Sequence, residues 1–354
     1  MRRLIGLAKN ILVSNFTDLR YPYRFTYILT YRCNLRCNMC NIWQEHKEEE
    51  LSVAQIKKFF KNFCKFSWIN VSGGEIFLRE DLLDIFDIIL TTCKDLYLLD
   101  FPTNGFQTKL ILEVINRLLV NYKIPKILVT ISLDGPQKLH DQIRGVEGSW
   151  DRAVETFRQL RKLRSARFNV FFGTTLQPAN IGKFDETVKS VEEKIGNIRY
   201  NDFHVNLIQY SPHYYKNIDT SDSNDYDKLW PQLERIIRRR KIFLFSPIGF
   251  LEYEYQKLAR IYLSEKKTPI TCQAFSASFF MDPEGNIFPC SIYNKSIGNI
   301  VDFDYDINKM WDTVSRYRIR EEIRKQKCPQ CWTPCEAYQS ILANLFVVFK
   351  RGRL

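Results

Sequence analysis

Six short apolar runs, separated by amphipathic stretches of helical length, leave this chain few ways to fold. Thr26-Tyr-Ile-Leu-Thr30, Trp68-Ile-Asn-Val71, Leu96-Tyr-Leu-Leu99, Ile127-Leu-Val-Thr-Ile131, Asn169-Val-Phe-Phe172 and His204-Val-Asn-Leu-Ile208 read as strands. Helical periodicity falls between them, near 53–64, 80–93, 107–121, 149–164 and 182–194. Such alternation predicts right-handed βα units and a parallel sheet with helices outside. When a sheet of this kind curls, the residues just after its strands collect at one mouth, where sites form. A polar, loop-like stretch from Ser211 to Asp227 ends the pattern, and Leu229 to Phe243 reads as a helix bearing Arg238-Arg-Arg-Lys241. Beyond residue 265 the chain reads as a hairpin turning at Pro283 to Asn286, a helix near 307–326, a cysteine loop and a last helix. The expected layout is a basic extension over 1–24, an α/β barrel over 25–245 and a smaller unit over 246–354.

Chemistry enters through Cys33, Cys37 and Cys40, which follow the first strand with C-x3-C-x2-C spacing. Three thiolates at this spacing can hold a four-iron cluster and leave one iron free to coordinate a small molecule. Zinc is the alternative, but its structural sites close with four ligands, and His46 is the only candidate for the fourth. A second set, Cys272, Cys290, Cys328, Cys331 and Cys335, lies in the C-terminal region, where hairpin-borne ligands and C-x2-C also suit a zinc ribbon. The remaining two of the ten cysteines, Cys64 and Cys93, read as small core residues, because a reducing compartment disfavours disulfides.

Composition limits the function classes. Hydrophobic content of 45% and charged content of 26% across 354 residues describe a globular chain with a sizeable core. Neither a secretory signal nor ~18 consecutive apolar residues is present, so a cytoplasmic protein is expected. The formal charge of +12 is concentrated in residues 1–24, in Arg316 to Lys327, and in Lys350-Arg-Gly-Arg353. Solvated helix faces, and compensation of anionic clusters, account for such runs. Peripheral membrane contact is the other reading: Leu4 to Val13 and Ile341 to Phe349 are apolar segments beside Arg and Lys, although helices docked on a core look the same. No nucleic-acid-binding fold is recognisable, so nucleic acid is an improbable partner.

Other motifs stand at the same expected mouth. Ser72-Gly-Gly-Glu75 follows the second strand, Thr103-Asn-Gly105 the third, Ser132-Leu-Asp-Gly-Pro136 the fourth, and His140-Asp-x-x-Arg144-Gly145 with Gly148 comes next. With the cysteine triplet, this ordered set over residues 25–208 closely resembles the radical S-adenosylmethionine (radical SAM) superfamily. The resemblance implies a partial (β/α)6 barrel, a [4Fe-4S] cluster on Cys33, Cys37 and Cys40, and S-adenosylmethionine on its open iron. It further implies that Gly73, Gly74 and Glu75 hold the cofactor's amino group, Ser132 its ribose or carboxylate, and Arg144 its carboxylate, with Asn104 also at the site. Met39 stands where the family often has an aromatic residue. Asp134 and His140 either act directly or brace the loop.

The C-terminal cysteines, with Gly285-x4-Cys290, resemble the SPASM/twitch extensions of that superfamily and imply one auxiliary [4Fe-4S] cluster. Cys272, Cys290, Cys328 and Cys331 match the twitch spacing, and Cys335 is a possible substitute. An electron donor such as flavodoxin or ferredoxin is implied as partner. The expected activity is hydrogen abstraction leading to oxidation or epimerisation of a sugar, alcohol or lipid-linked small molecule. Peptide modification is the alternative; it is set second because only some 24 residues precede the first strand, too few for a leader-binding domain. Ser291 replaces the Asp that follows this cysteine in sulfatase-maturing relatives. An iron–sulfur electron carrier is the non-enzymatic alternative, but it has no use for Gly73-Gly-Glu75 or Arg144.

Overall fold

The computed structural model describes residues 1–45, 49–220, 228–240 and 246–351. His46, Lys241, Arg353 and part of the 211–227 loop therefore lie outside the described residues. Eight strands form one sheet: β1 (Arg24–Ile28), β2 (Trp68–Ser72), β3 (Leu98–Thr103), β4 (Lys126–Ser132), β5 (Phe168–Leu176), β6 (Phe203–Leu207), β7 (Ser278–Met281) and β8 (Ile287–Phe288). Their order is β6-β5-β4-β3-β2-β1-β7-β8. β1 to β6 are parallel to their neighbours throughout, as the βα alternation requires. The helices are α1 (Arg2–Ser14), α2 (Val53–Asn62), α3 (Leu82–Thr92), α4 (Thr108–Asn121), α5 (Gln137–Arg144), α6 (Ser149–Leu160), α7 (Phe184–Ile195), α8 (Leu229–Arg239), α9 (Pro247–Glu265), α10 (Ile307–Trp311), α11 (Val314–Arg324), α12 (Pro334–Leu342) and α13 (Leu345–Arg351).

Side-chain parity divides the sheet into two faces. Phe25, Tyr27, Ile69, Val71, Leu99, Phe101, Ile127 and Val129 are buried on the helix side. Alternate positions on the same strands are largely polar, including Thr26, Asn70, Asp100, Thr130 and Asn206, and these line the barrel interior. A polar interior is affordable only where groups find partners. Asp100 does so on β3, accepting from Trp68 Nε1 and from Asn70 Nδ2.

The C-terminal hairpin does not stand apart from the barrel. β7 pairs with β1 in parallel, Arg24 opposite Ser278 and Tyr27 opposite Met281, and β8 returns antiparallel to β7. An aromatic cluster crosses this junction: Phe25 stacks on Phe279 with centroids 4.6 Å apart and touches Phe59, Phe60 and Phe66. Each fully buried Phe contributes about 1.5–3 kcal/mol, so this cluster binds β1, α2 and β7 into one core.

Several expectations are corrected. The helix expected near 307–326 is two helices, because Thr313 caps α11 by accepting from the Arg316 N–H, which breaks the run. The segments 137–144 and 247–265, not singled out by periodicity, are α5 and α9. Cys93 is buried and Cys64 partly buried, but the two are joined in a disulfide, with Cα atoms 5.0 Å apart; each closely follows the end of one of the packed helices α2 and α3, which brings the thiols together. Nor is the basic run 316–327 wholly a solvated face. Arg316 is buried and donates to the Trp311 and Phe275 carbonyls, while Arg320 donates to Ala274 O at 3.2 Å and pairs with Asp18 at 2.6 Å.

The loop after β1 is seated by backbone contacts from distant parts of the chain. Gly74 N–H donates to Thr30 O and Glu75 N–H to Arg32 O, both at 2.8 Å. On the other side, Arg36 N–H donates to Arg144 O at 2.9 Å and Asn38 N–H to Ile143 O at 3.0 Å. Gly145 ends α5 in the left-handed region, φ 69°, where a Cβ would lie 2.4 Å from Arg36 O. Gly182 has a similar φ of 79° but no atom within 4 Å of a Cβ. Gly182→Ala therefore suffers only backbone strain, whereas Gly145→Ala adds a clash with backbone that cannot move freely. Chemical denaturation is expected to show Gly145→Ala costing at least ~1 kcal/mol more than Gly182→Ala; equal losses would contradict this account of the seat.

Candidate active site

A cavity of about 350 Å³ occupies the barrel interior below its mouth. Cys33, Cys37 and Cys40 form part of its wall, opposite Gly73, Gly74, Asn104, Ser132 and Arg144. Five of the six expected cofactor-binding residues thus share one chamber with the cysteine triplet. The sixth, Glu75, is buried outside the wall. Its oxygens accept from the Asn104 N–H at 2.7 Å, from Thr103 Oγ1 at 3.0 Å and from the Phe77 N–H at 3.3 Å. Burial raises its pKa to about 7 against these hydrogen bonds. Glu75 therefore braces the turn after β3, and Asn104, whose amide donates to Asn34 Oδ1 at 2.7 Å, carries that brace to the cysteine loop.

The HDxxRG segment is likewise built into the loop's support. Arg144 pairs with Asp134 at 2.5 Å and approaches Cys37 Sγ at 3.6 Å. His140 is buried, and Nδ1 accepts from the Asp134 N–H at 3.1 Å; burial, then the charge of Arg144, lowers its pKa and keeps it neutral. Asp141 accepts from the Gly148 and Trp150 N–H groups at the start of α6. Asp134 and His140 brace in this geometry, while Arg144 reaches the chamber.

Burial pushes the Cys33 thiol up to about 11 and Cys40 to about 12. Neutral thiols are thus favoured there, and a bound metal cation reverses that preference by coordinating the thiolate. Polar atoms on the wall also lack partners: Thr26 Oγ1, Gln209 Nε2, Ser291 Oγ and Thr333 Oγ1 are buried without a hydrogen bond. Buried polar groups are ordinarily paired, so these suit a polar ligand. The donor set and the chamber fit an iron–sulfur cluster with a polar small molecule beside it.

The C-terminal cysteines divide into two environments. Burial raises the pKa of Cys272, Cys290 and Cys331, and neighbouring thiols add to it: Cys331 and Cys272 act on Cys290, Cys272 and Cys328 on Cys331, and Cys328 on Cys272. Cys335 instead lines the central chamber, and its charged neighbours are Arg24, Glu336 and Asp100. Among the described residues, no three His, Cys, Asp or Glu side chains converge as a single-ion site needs. Thiolates that bind different irons of one cluster do not have to converge in that way.

Sequence reasoning passed over the loop at 210–217, which couples the two cysteine sets. Asn41 N–H donates to Tyr215 O at 2.8 Å, and Asn217 Nδ2 donates to Met39 O at 2.9 Å, so the loop covers the triplet. On its other side, Ser211 Oγ donates to Ser291 O at 2.6 Å, and His213 Nε2 lies 3.1 Å from Cys290 O. Tyr214 is buried, with its hydroxyl 3.3 Å from Ser72 Oγ. The cluster Tyr210-Ser-Pro-His-Tyr-Tyr215 in an otherwise polar stretch was the available signal.

Comparisons with known proteins agree with this geometry. Residues 27–191 match the Radical SAM superfamily, and residues 272–336 match SPASM, an iron–sulfur cluster-binding domain. A curated relative, the antilisterial bacteriocin subtilosin biosynthesis protein AlbA of Bacillus subtilis (strain 168), is 25% identical over 276 residues, covering 73% of this chain and 54% of AlbA. The chain thus spans about half the length of that relative. Among solved structures, Streptococcus suis SuiB superposes with a TM-score of 0.57 at 15% identity, covering 90% of this chain and 71% of SuiB. AdoMet-bound anSMEcpe gives 0.54 at 16% identity, covering 94% of this chain and 99% of anSMEcpe. These two likenesses concern the fold. With both matches and the barrel motifs in agreement, the chain carries a radical SAM domain over residues 27–191 followed by a SPASM domain over residues 272–336.

Proposed function

We propose that this radical SAM enzyme modifies a peptide, by abstracting a hydrogen atom from a residue presented to the central chamber. The observation that carries this is the chamber itself, where the cysteine triplet, Ser132 and Arg144 face unpartnered polar atoms of β1, the 210–217 loop's flank and the C-terminal unit. When bound, the cofactor pair supplies a 5′-deoxyadenosyl radical. Ser132, Arg144 and the Gly73-Gly74 backbone are assigned to orient S-adenosylmethionine, and Thr26, Gln209, Ser291 and Thr333 to engage the substrate. A volume of ~350 Å³ lies at the small end of ligand pockets. We take it to receive the cofactor, with the peptide approaching from the mouth.

The choice of peptide over small molecule reverses the order favoured by sequence alone. AlbA is named for bacteriocin biosynthesis, and SuiB has been crystallised with the precursor peptide SuiA. A sugar, alcohol or lipid-linked substrate has no comparable support. We assign Cys272, Cys290, Cys328 and Cys331 to one auxiliary cluster and leave Cys335 as a thiol of the chamber.

Anaerobically reconstituted protein is expected to hold about eight irons, from two four-iron clusters. Cys335→Ala should keep that content, whereas Cys331→Ala, or Ala at Cys33, Cys37 and Cys40 together, should lower it to about half. Loss of iron in Cys335→Ala would make this thiol a ligand. Glu75→Ala removes the shared acceptor of Thr103 and Asn104, and should lower stability by ~1–3 kcal/mol while weakening S-adenosylmethionine binding. Calorimetric titration showing unchanged affinity would remove Glu75 from any part in the cofactor site. With reductant and S-adenosylmethionine, wild type should release 5′-deoxyadenosine slowly when no substrate is added and faster with a cognate short peptide, whose mass changes. Acceleration by sugars or alcohols, and by no peptide encoded beside the gene, would restore the small-molecule reading; no 5′-deoxyadenosine at all would favour an electron carrier.

A further inference from the structure

The structure places an apolar, basic-rimmed patch on α1 and α13, and we propose that it binds the surface of an anionic membrane. α1 is amphipathic in both directions. Its inner face, with Leu7 buried, packs on Leu19, Tyr23 and Trp68. The opposite face presents Ile5 and Leu12, each 60% exposed, and Phe16, 71% exposed, follows just beyond the helix. α13 adds Phe346 at 58% and Phe349 at 60%. The spacing of Ile5 and Leu12 keeps them on one stripe of the helix.

The two helices form one surface. Phe16 and Phe346 are in ring contact, with centroids 5.6 Å apart. Asn15 locks the junction: Nδ2 donates to Leu342 O at 2.7 Å, and Oδ1 accepts from the Leu345 N–H at 2.9 Å. The apolar side chains are therefore held in place before any partner arrives. Contiguous exposed apolar area of this kind marks an interaction surface.

Charge selects the occupant. α1 carries Arg2, Arg3 and Lys9, α13 carries Lys350, and neither helix contains an Asp or Glu, although Arg2 lies 3.8 Å from Asp95 and Arg3 donates to Lys123 O at 3.0 Å. A second copy of the chain would have to place the same cations opposite themselves across a two-fold axis, which like-charge repulsion opposes. An anionic bilayer satisfies both requirements, taking apolar side chains into its interface and attracting the cations. No helix among the described residues is long and apolar enough to cross a membrane, so the contact is peripheral. α1 packs at the starts of β2 and β3, through Trp68 and Leu98, whereas the cysteine mouth lies beyond the strands' other ends. Membrane binding on this patch leaves the mouth turned towards water, where a soluble peptide can enter.

Sedimentation of the full chain with phosphatidylglycerol-containing and pure phosphatidylcholine vesicles, over a salt series, tests this. Binding to the anionic vesicles alone, falling as salt rises, is expected. Replacing Arg2, Lys9 and Lys350 with Gln should cost about fivefold in partitioning per cation. Leu12→Ser with Phe16→Ser should lower it at least tenfold, while reductive 5′-deoxyadenosine release stays at the wild-type level and reports an intact fold. Three results would overturn the proposal: no sedimentation with either vesicle at low salt, equal binding to both vesicles, or a dimer in light scattering that Phe16→Ser dissolves without any vesicle binding. Each of these readouts is independent of which substrate the chamber takes.

Discussion

Everything the site can do depends on how tightly the cysteine loop is held against two glycines. Gly74 brings its backbone so near that a Cβ would lie 2.3 Å from Arg32 O, and Gly145 does the same to Arg36 O from the far side. Between those two contacts the chain carries Cys33, Cys37 follows directly after the second, and the 210–217 loop closes over Met39 and Asn41. A loop bearing three cysteines and no regular structure gains nothing from propensity; its shape is imposed by hydrogen bonds to β2's exit, α5's end and a third loop. Positioning of this kind is what lets thiols from a flexible-looking segment present a fixed geometry.

The second dependence runs through β1. It lies between β2 and β7, so the strand that launches the cysteine loop is also the strand that receives the C-terminal hairpin. Arg24, its first residue, donates to Gln339 of α12 and sits 4.0 Å from the centre of the Trp68 ring. Cys290 and the triplet are then connected a second time, by Ser211 and His213 on one side of a loop and Asn217 on the other. Two cysteine sets far apart in sequence become neighbours of one chamber, to which Cys335 contributes directly. Electron movement between clusters, or control of a substrate radical, is the chemistry such adjacency permits.

Polarity inside the barrel follows from the same parity that builds the core outside it. One residue out of two faces helices and is apolar; its neighbours face the chamber and are largely polar, Thr26, Asn70, Asp100, Thr130, Ser132 and Asn206 among them. Closing the lower end falls to α1, which is why that helix has an apolar inner face. Its apolar outer face has no such internal explanation, and the joint surface with α13 is a property of packing between the two ends of the described chain.

Sequence alone determined the six βα units, their parallel sheet and the mouth, because period-two and helical periodicities are local; that the C-terminal hairpin extends the same sheet beside β1 was decided by the tertiary structure. Its motifs, through the resemblance they carry, also named the cysteine triplet, Ser132 and Arg144, and the fold brings these residues to the wall of one chamber. What it could not settle were contacts between segments without a period of their own. Glu75 looked like a ligand-facing acid, but only the fold shows Thr103 and Asn104 occupying its oxygens. Arg316 and Arg320 looked like solvent-facing charge, but five donors on a planar group let each satisfy buried carbonyls that no pattern reveals. Cys64 and Cys93 are 29 residues apart and read as separate core positions until α2 and α3 bring them together. Tertiary structure alone decided these, because a hydrogen bond or disulfide between distant residues depends on where the chain returns, and that is set by the packing of the whole core.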